Sequence, residues 1–306
     1  MHQFTSKLIP TITSPTNRKG LLIAALFLTV WLACFFAQVA PVQSITDFGG
    51  FLFLGIAGAI AANSTGAGGG VVFVPSFQAL GMDVEHIIAT SFAIQCFGMT
   101  MGSFSWLKFF QSHDQQKIEK VNLFYSTLGV SIPFSLIGLC LVQYADWQPI
   151  SSINNMFSLF SLVFGVIVLL HCFYVATKSS HRGVVQLTKA EMLLIALSSL
   201  IGGIITAWIS VGVGEILAVI LLLRGFSVMF SVAAGVMVSA CTVLAGVPFF
   251  IYHQLISFDV LIYAAPGALI GGLVARHIAQ ALGAKKLKLF LGGWILLVGL
   301  IGVFEF

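Results

Sequence analysis

The chain has 306 residues, 58% of them hydrophobic and only 8% charged, with a mean hydropathy of +1.05. Soluble domains carry roughly 25% charged residues, so the composition excludes a soluble enzyme and requires an integral membrane protein of α-helical class. The net charge of +4 says nothing of nucleic acid, which is not an expected partner, because basic loops are what the cytoplasmic faces of membrane proteins carry.

In chain order, residues 1–19 are polar and hold Lys7, Arg18 and Lys19 without an acid. Residues 20–40 predict a transmembrane helix, since Leu21–Ala40 approaches the ~20 apolar residues a span needs. The apolar run exceeds the ~7–15 residues of a signal-peptide core, which favours a retained anchor.

Next comes a segment from Phe48 to Ser64 that runs into Asn63-Ser64-Thr65-Gly66-Ala67-Gly68-Gly69-Gly70 and continues through Val71–Leu80. Four glycines in five residues cannot sit well in a helix, each costing about 1 kcal/mol relative to alanine. Loosened backbone survives at membrane depth only where it is buried in protein or lines a cavity. The stretch therefore predicts a broken segment whose second arm, at ~1.5 Å per residue, covers only about half a bilayer. Free N–H groups at the start of that arm suit an anion. Close helix packing is the competing use of so many small residues.

Full helices follow at about 85–107, 121–144 and 154–176. The break then recurs at an offset of 146 positions: Ala61, Ser64, Gly66 and Gly68 fall on Ala207, Ser210, Gly212 and Gly214. Arms at about 191–209 and 213–223 are followed by helices near 228–251, 257–275 and 287–304. Residues 48–177 thus form a first transmembrane repeat and residues 190–305 a second, each a broken or re-entrant hairpin plus three helices.

Every Lys and Arg lies in the N-terminus, in 108–120, in 178–189, at Arg224 or in 276–288. The other connections hold Asp47, Asp83, Glu85, Asp146, His253 and Asp259, with no Lys or Arg. The positive-inside rule places the basic segments in the cytoplasm. The first hairpin then dips in from outside and the second from inside, giving inverted repeats, a cytoplasmic N-terminus and an external C-terminus. If both arms of each hairpin cross fully, there are nine spans and the orientation is unchanged. Paired inverted broken helices are a transporter architecture, because they permit alternating access around one site.

Candidate oxyanion ligands at the first break are Asn63, Ser64, Thr65 and the backbone of Gly66, Gly68, Gly69 and Gly70. Thr90, Ser91 and Gln95 follow in the next helix, and Ser210, Gly212 and Gly214 mark the second break. Interhelical hydrogen bonding, worth only ~0.6 kcal/mol on average, is the plainer use of Thr90, Ser91 and Gln95. For the comparable residues of the second repeat, Ser210, Ser239 and Thr242, packing is the stronger explanation. Glu215 is an acid well within an apolar segment, expensive there and by default functional. It is assigned to coupling: it takes up a proton on one side, so that the anion binds without like-charge repulsion, and releases it on the other. A carboxylate that merely braces the hairpin is the alternative. Arg224 reads as an interfacial anchor; pairing with Glu215 would need a bend. No catalytic constellation, metal cluster or cofactor motif is apparent, and Cys34, Cys96, Cys140, Cys172 and Cys241 are scattered apolar-segment residues without a Cys-x-x-Cys.

Gly66-Ala67-Gly68-Gly69-Gly70 with Val74-Pro75, then Ala89-Thr90-Ser91, and the second copy Gly212-Val213-Gly214 carry a resemblance. Through them the chain resembles the sulfite exporter (TauE/SafE) family, also called the toluenesulfonate uptake permeases, from about residue 48 to the end. The resemblance implies an inner-membrane permease for small sulfur-containing anions, such as sulfite or organosulfonates, without a nucleotide cofactor. The chain departs from the family pattern at Glu215, where another glycine is usual. A membrane-embedded receptor, a non-transporting subunit and an intramembrane enzyme are the rival readings. The charge segregation predicts that cysteine labelling from outside reaches positions near Asp146 and Asp259 but not near Lys117 or Lys286; labelling at all four from one side overturns the topology.

Overall fold

A computed structural model describes residues 15–38, 41–110, 115–145, 147–149, 151–174 and 186–304, and these are helices joined by short connections, with no strand among the described residues. Two units separate at Gly49. The first contains α1 (Pro15–Phe36) and a short α2 (Pro41–Phe48) that was not expected. Each begins with proline, whose fixed φ and missing N–H suit the first helical position. The apolar run read as an N-terminal span falls on α1; residues 1–14, 39 and 40 of the expected N-terminal segments lie outside the described residues.

The second unit carries α3 (Phe51–Thr65), α4 (Gly70–Ala79), α5 (Val84–Phe110), α6 (Gln115–Tyr144), α7 (Ile153–Tyr174), α8 (Lys189–Ile209), α9 (Val213–Leu223), α10 (Val228–Tyr252) and α11 (Phe258–Phe304). Among the described residues, six helices are long and apolar enough to cross a membrane, in α5, α6, α7, α8, α10 and the first part of α11. The arms α3, α4 and α9 are shorter apolar helices. Leu193, Phe104 and Leu297 are among many large apolar side chains left exposed, a surface that only lipid covers at low cost. This is an integral membrane protein.

Two connections differ from the expected loops. α6 begins at Gln115 rather than near residue 121, and the helices expected at 257–275 and 287–304 run together as α11, broken only at Gly283 (φ 72°, ψ 164°). Glutamine, lysine, glutamate, alanine and leucine, which fill these basic stretches, are good helix formers, so the helices continue past the apolar segment.

Packing relies on glycine, as expected where lipid removes any hydrophobic drive between helices and close approach must supply the attraction. α3 lies along the first part of α11, with Gly55 against the Ala264 backbone and Gly267 against the Leu52 carbonyl. α6 lies along α8 in the same way, with Gly203 against the Ser135 carbonyl and Gly138 against the Leu200 carbonyl. The leading arm of each half therefore packs on a helix of the other half. α5 meets α10, where the Phe92 and Phe250 rings lie 4.9 Å apart. α7 runs antiparallel to the last part of α11, with Gly165 facing Leu296 and Gly302 facing Ser158.

Pro75 lies inside α4 and cannot donate to the carbonyl of Val71. Trp294 of α11 donates its indole N–H to that carbonyl at 3.3 Å, and Ser76 Oγ donates to the Val72 carbonyl at 2.7 Å. A helix weakened by its proline is thus fastened to its neighbour. Trp294→Phe keeps an aromatic ring and removes the donor; the thermal midpoint of the purified protein should fall by an amount equivalent to about 1 kcal/mol, and an unchanged midpoint shows that the Val71 carbonyl is satisfied otherwise.

Candidate functional site: a junction of two helix breaks

The site begins with two helix ends that glycine makes possible. α3 stops where Gly66 turns left-handed (φ 82°), its N–H donating to the Ala62 carbonyl at 3.0 Å. α8 stops at Ser210, left-handed as well (φ 60°), with its N–H on the Thr206 carbonyl at 2.8 Å. Gly212 then adopts φ 148°, ψ −60°, a conformation closed to residues with a Cβ. The Thr206 hydroxyl accepts the Val213 N–H at 2.8 Å, so the start of α9 is tied to the end of α8.

The two breaks touch. A side chain on Gly70 would collide with the Ser210 carbonyl and the Val211 side chain, and one on Gly214 with the Ser239 hydroxyl and, at 2.6 Å, the Gly66 carbonyl. A Cβ on Gly68 would lie 3.2 Å from Gln95 Oε1, 3.4 Å from Glu215 Oε1 and 3.5 Å from the Ser210 carbonyl. Small residues bring backbone to backbone here, and two polar side chains fill what remains.

Glu215, 3% exposed in the first turn of α9, accepts from both breaks. Oε1 takes the Gly68 N–H at 2.5 Å and Oε2 the Gly212 N–H at 2.9 Å. Gln95 of α5 forms a second bridge. Its Oε1 accepts the Gly69 N–H at 2.8 Å, and its Nε2 donates to Ser210 Oγ at 2.9 Å, the Ser210 carbonyl at 3.3 Å and Ser91 Oγ at 3.1 Å. The Ser210 hydroxyl in turn donates to Ser91 at 2.9 Å. A carboxylate held by backbone N–H groups from two helix starts is in the position an external anion would take. Among the described residues no basic side chain pairs with Glu215.

The structure thus gathers Gly66, Gly68, Gly69, Gly70, Ser91, Gln95, Ser210, Gly212, Gly214 and Glu215. The polar residues that end α3 serve its own framework. Asn63 donates to the Ala59 carbonyl at 2.8 Å and the Gly98 carbonyl at 3.2 Å, Ser64 to Ala61 at 3.3 Å, and Thr65 to Ala61 at 2.6 Å while accepting the Ala67 N–H. Thr90 is used elsewhere: it accepts the Ser257 N–H at 3.0 Å and holds the α10–α11 connection. Thr242 bonds Ser135 at 3.0 Å.

Arg224 pairs with Glu191 at 3.2 Å rather than with Glu215. Glu191, 1% exposed, also accepts from Thr188, closing the capping box that opens α8. The pair ties the first turn of α8 to the end of α9, so both ends of the second hairpin meet. Glu191 does not stand out in the sequence as an intramembrane charge because it sits at a helix start. The spacing Thr188-x-x-Glu191 before an apolar run was its available signal.

A helical membrane bundle with two broken helices meeting at buried, bridged N–H groups is the framework of a carrier. The chain belongs to the sulfite exporter TauE/SafE family, whose family model matches residues 50–301 and so both breaks. No curated protein and no solved structure matches the chain significantly.

Gln95→Met keeps an unbranched side chain of similar length but leaves the Gly69 N–H and the Ser210 carbonyl without their bridge. Stability in denaturant titration should drop by about 1–3 kcal/mol, whereas a neutral effect shows that Gln95 does not hold the two breaks.

Proposed function

We propose that the protein is a permease that moves a small anion, a sulfur oxyanion or an organosulfonate, through the junction of the two breaks. The observation that carries this is the Glu215 carboxylate bound between Gly68 and Gly212 N–H groups. These N–H groups donate to a negative oxygen in the buried interior where, among the described residues, no Lys or Arg pairs with it, because helix starts supply the positive end of the dipole. The family membership supplies the sulfur-anion class.

In this reading Glu215 couples the anion to protons. While ionised, the carboxylate fills the N–H cradle and repels an incoming anion. Once protonated it is a weaker acceptor and carries no charge, so Gly68 and Gly212 N–H can turn to the substrate. Return of the proton to the opposite side lets Glu215 reclaim the cradle and expel the anion. The exchanged packing of α3 on α11 and α8 on α6 supports two inverted repeats rocking against each other. The segregated basic segments support an inner-membrane location with the N-terminus cytoplasmic and the C-terminus outside.

The geometry also favours the second reading of Glu215, a permanent brace, since both oxygens are already engaged. Proteoliposomes separate the two. Glu215→Gln should abolish proton-driven accumulation of sulfite while retaining sulfite counterflow; wild-type accumulation and counterflow across pH remove the coupling role. Absence of counterflow in the wild-type protein for every small anion would favour a receptor or non-transporting subunit. Gly68→Val, which crowds Gln95 and Glu215 at once, should insert normally and lose counterflow; unchanged kinetics would assign the glycines to packing alone.

A further inference from the structure

Ser239 of α10 reaches the junction and bonds nothing there. It is 3% exposed, and among the described residues its hydroxyl has no hydrogen-bond partner. A hydroxyl within a buried helix often donates to the carbonyl four residues back. Its neighbours on α10 do so, Ser231 to Ser227 at 3.0 Å and Thr242 to Val238 at 2.8 Å. Ser239 Oγ instead borders the Gly214 backbone, where any side chain would collide with it. Gly214 lies in the first turn of α9. Among the described residues, the first N–H of that helix to find a backbone carbonyl is that of Ile216, on Gly212 at 2.9 Å. The N–H groups of Val213, Gly214 and Glu215 therefore face out of the helix start, with the Ser239 hydroxyl beside them.

The first half of the chain shows what this position can do. Gly66 and Ser210, Gly70 and Gly214, and Gln95 and Ser239 are each 144 positions apart. At that spacing the contacts are reciprocal: a side chain on Gly70 would strike the Ser210 carbonyl, and one on Gly214 the Gly66 carbonyl. Gln95 is long enough to complete its side unaided, accepting from Gly69 and donating to Ser210. Ser239 brings a donor to the matching place and meets no acceptor. Such an orphan costs free energy in the resting protein. We propose that Ser239 is a further substrate-binding residue, whose O–H donates to an oxygen of the transported anion once the anion has replaced the Glu215 carboxylate. A bond to an ionised acceptor is about twice as strong as one between neutral groups, so the hydroxyl favours the filled junction over the empty one. This rests on the permease reading and adds to it a ligand from the second half, carried by α10.

Counterflow of radiolabelled sulfite and of radiolabelled methanesulfonate in proteoliposomes provides the test, on the wild type, Ser239→Ala and Ser231→Ala. The thermal midpoint of each purified protein without anion is the second readout. Ser239→Ala should raise the KM of the exchanged anion about tenfold, while the midpoint holds or rises, since the resting structure loses no bond. Ser231→Ala removes a hydroxyl that serves its own helix and should leave KM unchanged. An unchanged KM in Ser239→Ala overturns the inference and leaves the permease intact. So does a KM raised equally by both variants. A midpoint lowered with KM unmoved also overturns it, and assigns the hydroxyl to the Gly66 carbonyl nearby. Ser239→Cys, a weak donor of similar size, gives the same reading should the alanine variant fail to fold. No wild-type counterflow of either label removes the permease reading, and the inference with it.

Discussion

The structure depends on one carboxylate gripped from two directions. Glu215 is buried, and its two oxygens accept N–H groups that belong to different broken helices, Gly68 after α3 and Gly212 after α8. Neither break could remain open in an apolar interior without partners for its backbone, because each unpaired group there costs several kcal/mol. The two breaks satisfy each other instead, through Glu215 on one bridge and Gln95 on the other. Removing either break would orphan groups in its partner, which makes the junction a single unit.

Around that unit the helices are arranged to bring backbone close. Gly55 and Gly267 seat α3 on α11, Gly138 and Gly203 seat α6 on α8, and Gly214 lets α9 approach the Gly66 carbonyl. The ends are then tied by polar side chains: Glu191 with Arg224 across the second hairpin, and Gln78 with Asn154 at 2.7 Å between the end of α4 and the start of α7. Such ties join arms too short to span the membrane alone to full-length neighbours.

Much of this could be read from the residues. The glycine run at 66–70 and its weaker copy at 212–214 located both breaks, because glycine most readily takes the left-handed turn at Gly66 and no residue with a Cβ tolerates the backbone of Gly212. Glu215 stood out through the cost of a carboxylate in an apolar segment. What could not be read was which groups would meet. Ser91, Gln95 and Thr90 lie within two turns of one helix, yet Ser91 and Gln95 enter the junction while Thr90 binds Ser257. Helical phase against distant elements decides that, and neither propensity nor spacing records it. Trp294 was equally silent, since its role exists only because Pro75 vacates a carbonyl more than 200 positions away.

On the permease reading, a transported anion takes over the N–H groups that Glu215 now holds. Protein labelled with ¹⁵N-glycine, with the Gly68 and Gly212 amide signals assigned by substitution, tests this most directly during a sulfite titration at a pH that protonates the buried carboxyl. Both signals should move together with one apparent Kd, while that of Gly283, at the break in α11, stays fixed. Saturable sulfite binding that leaves the Gly68 and Gly212 amides unmoved would contradict it.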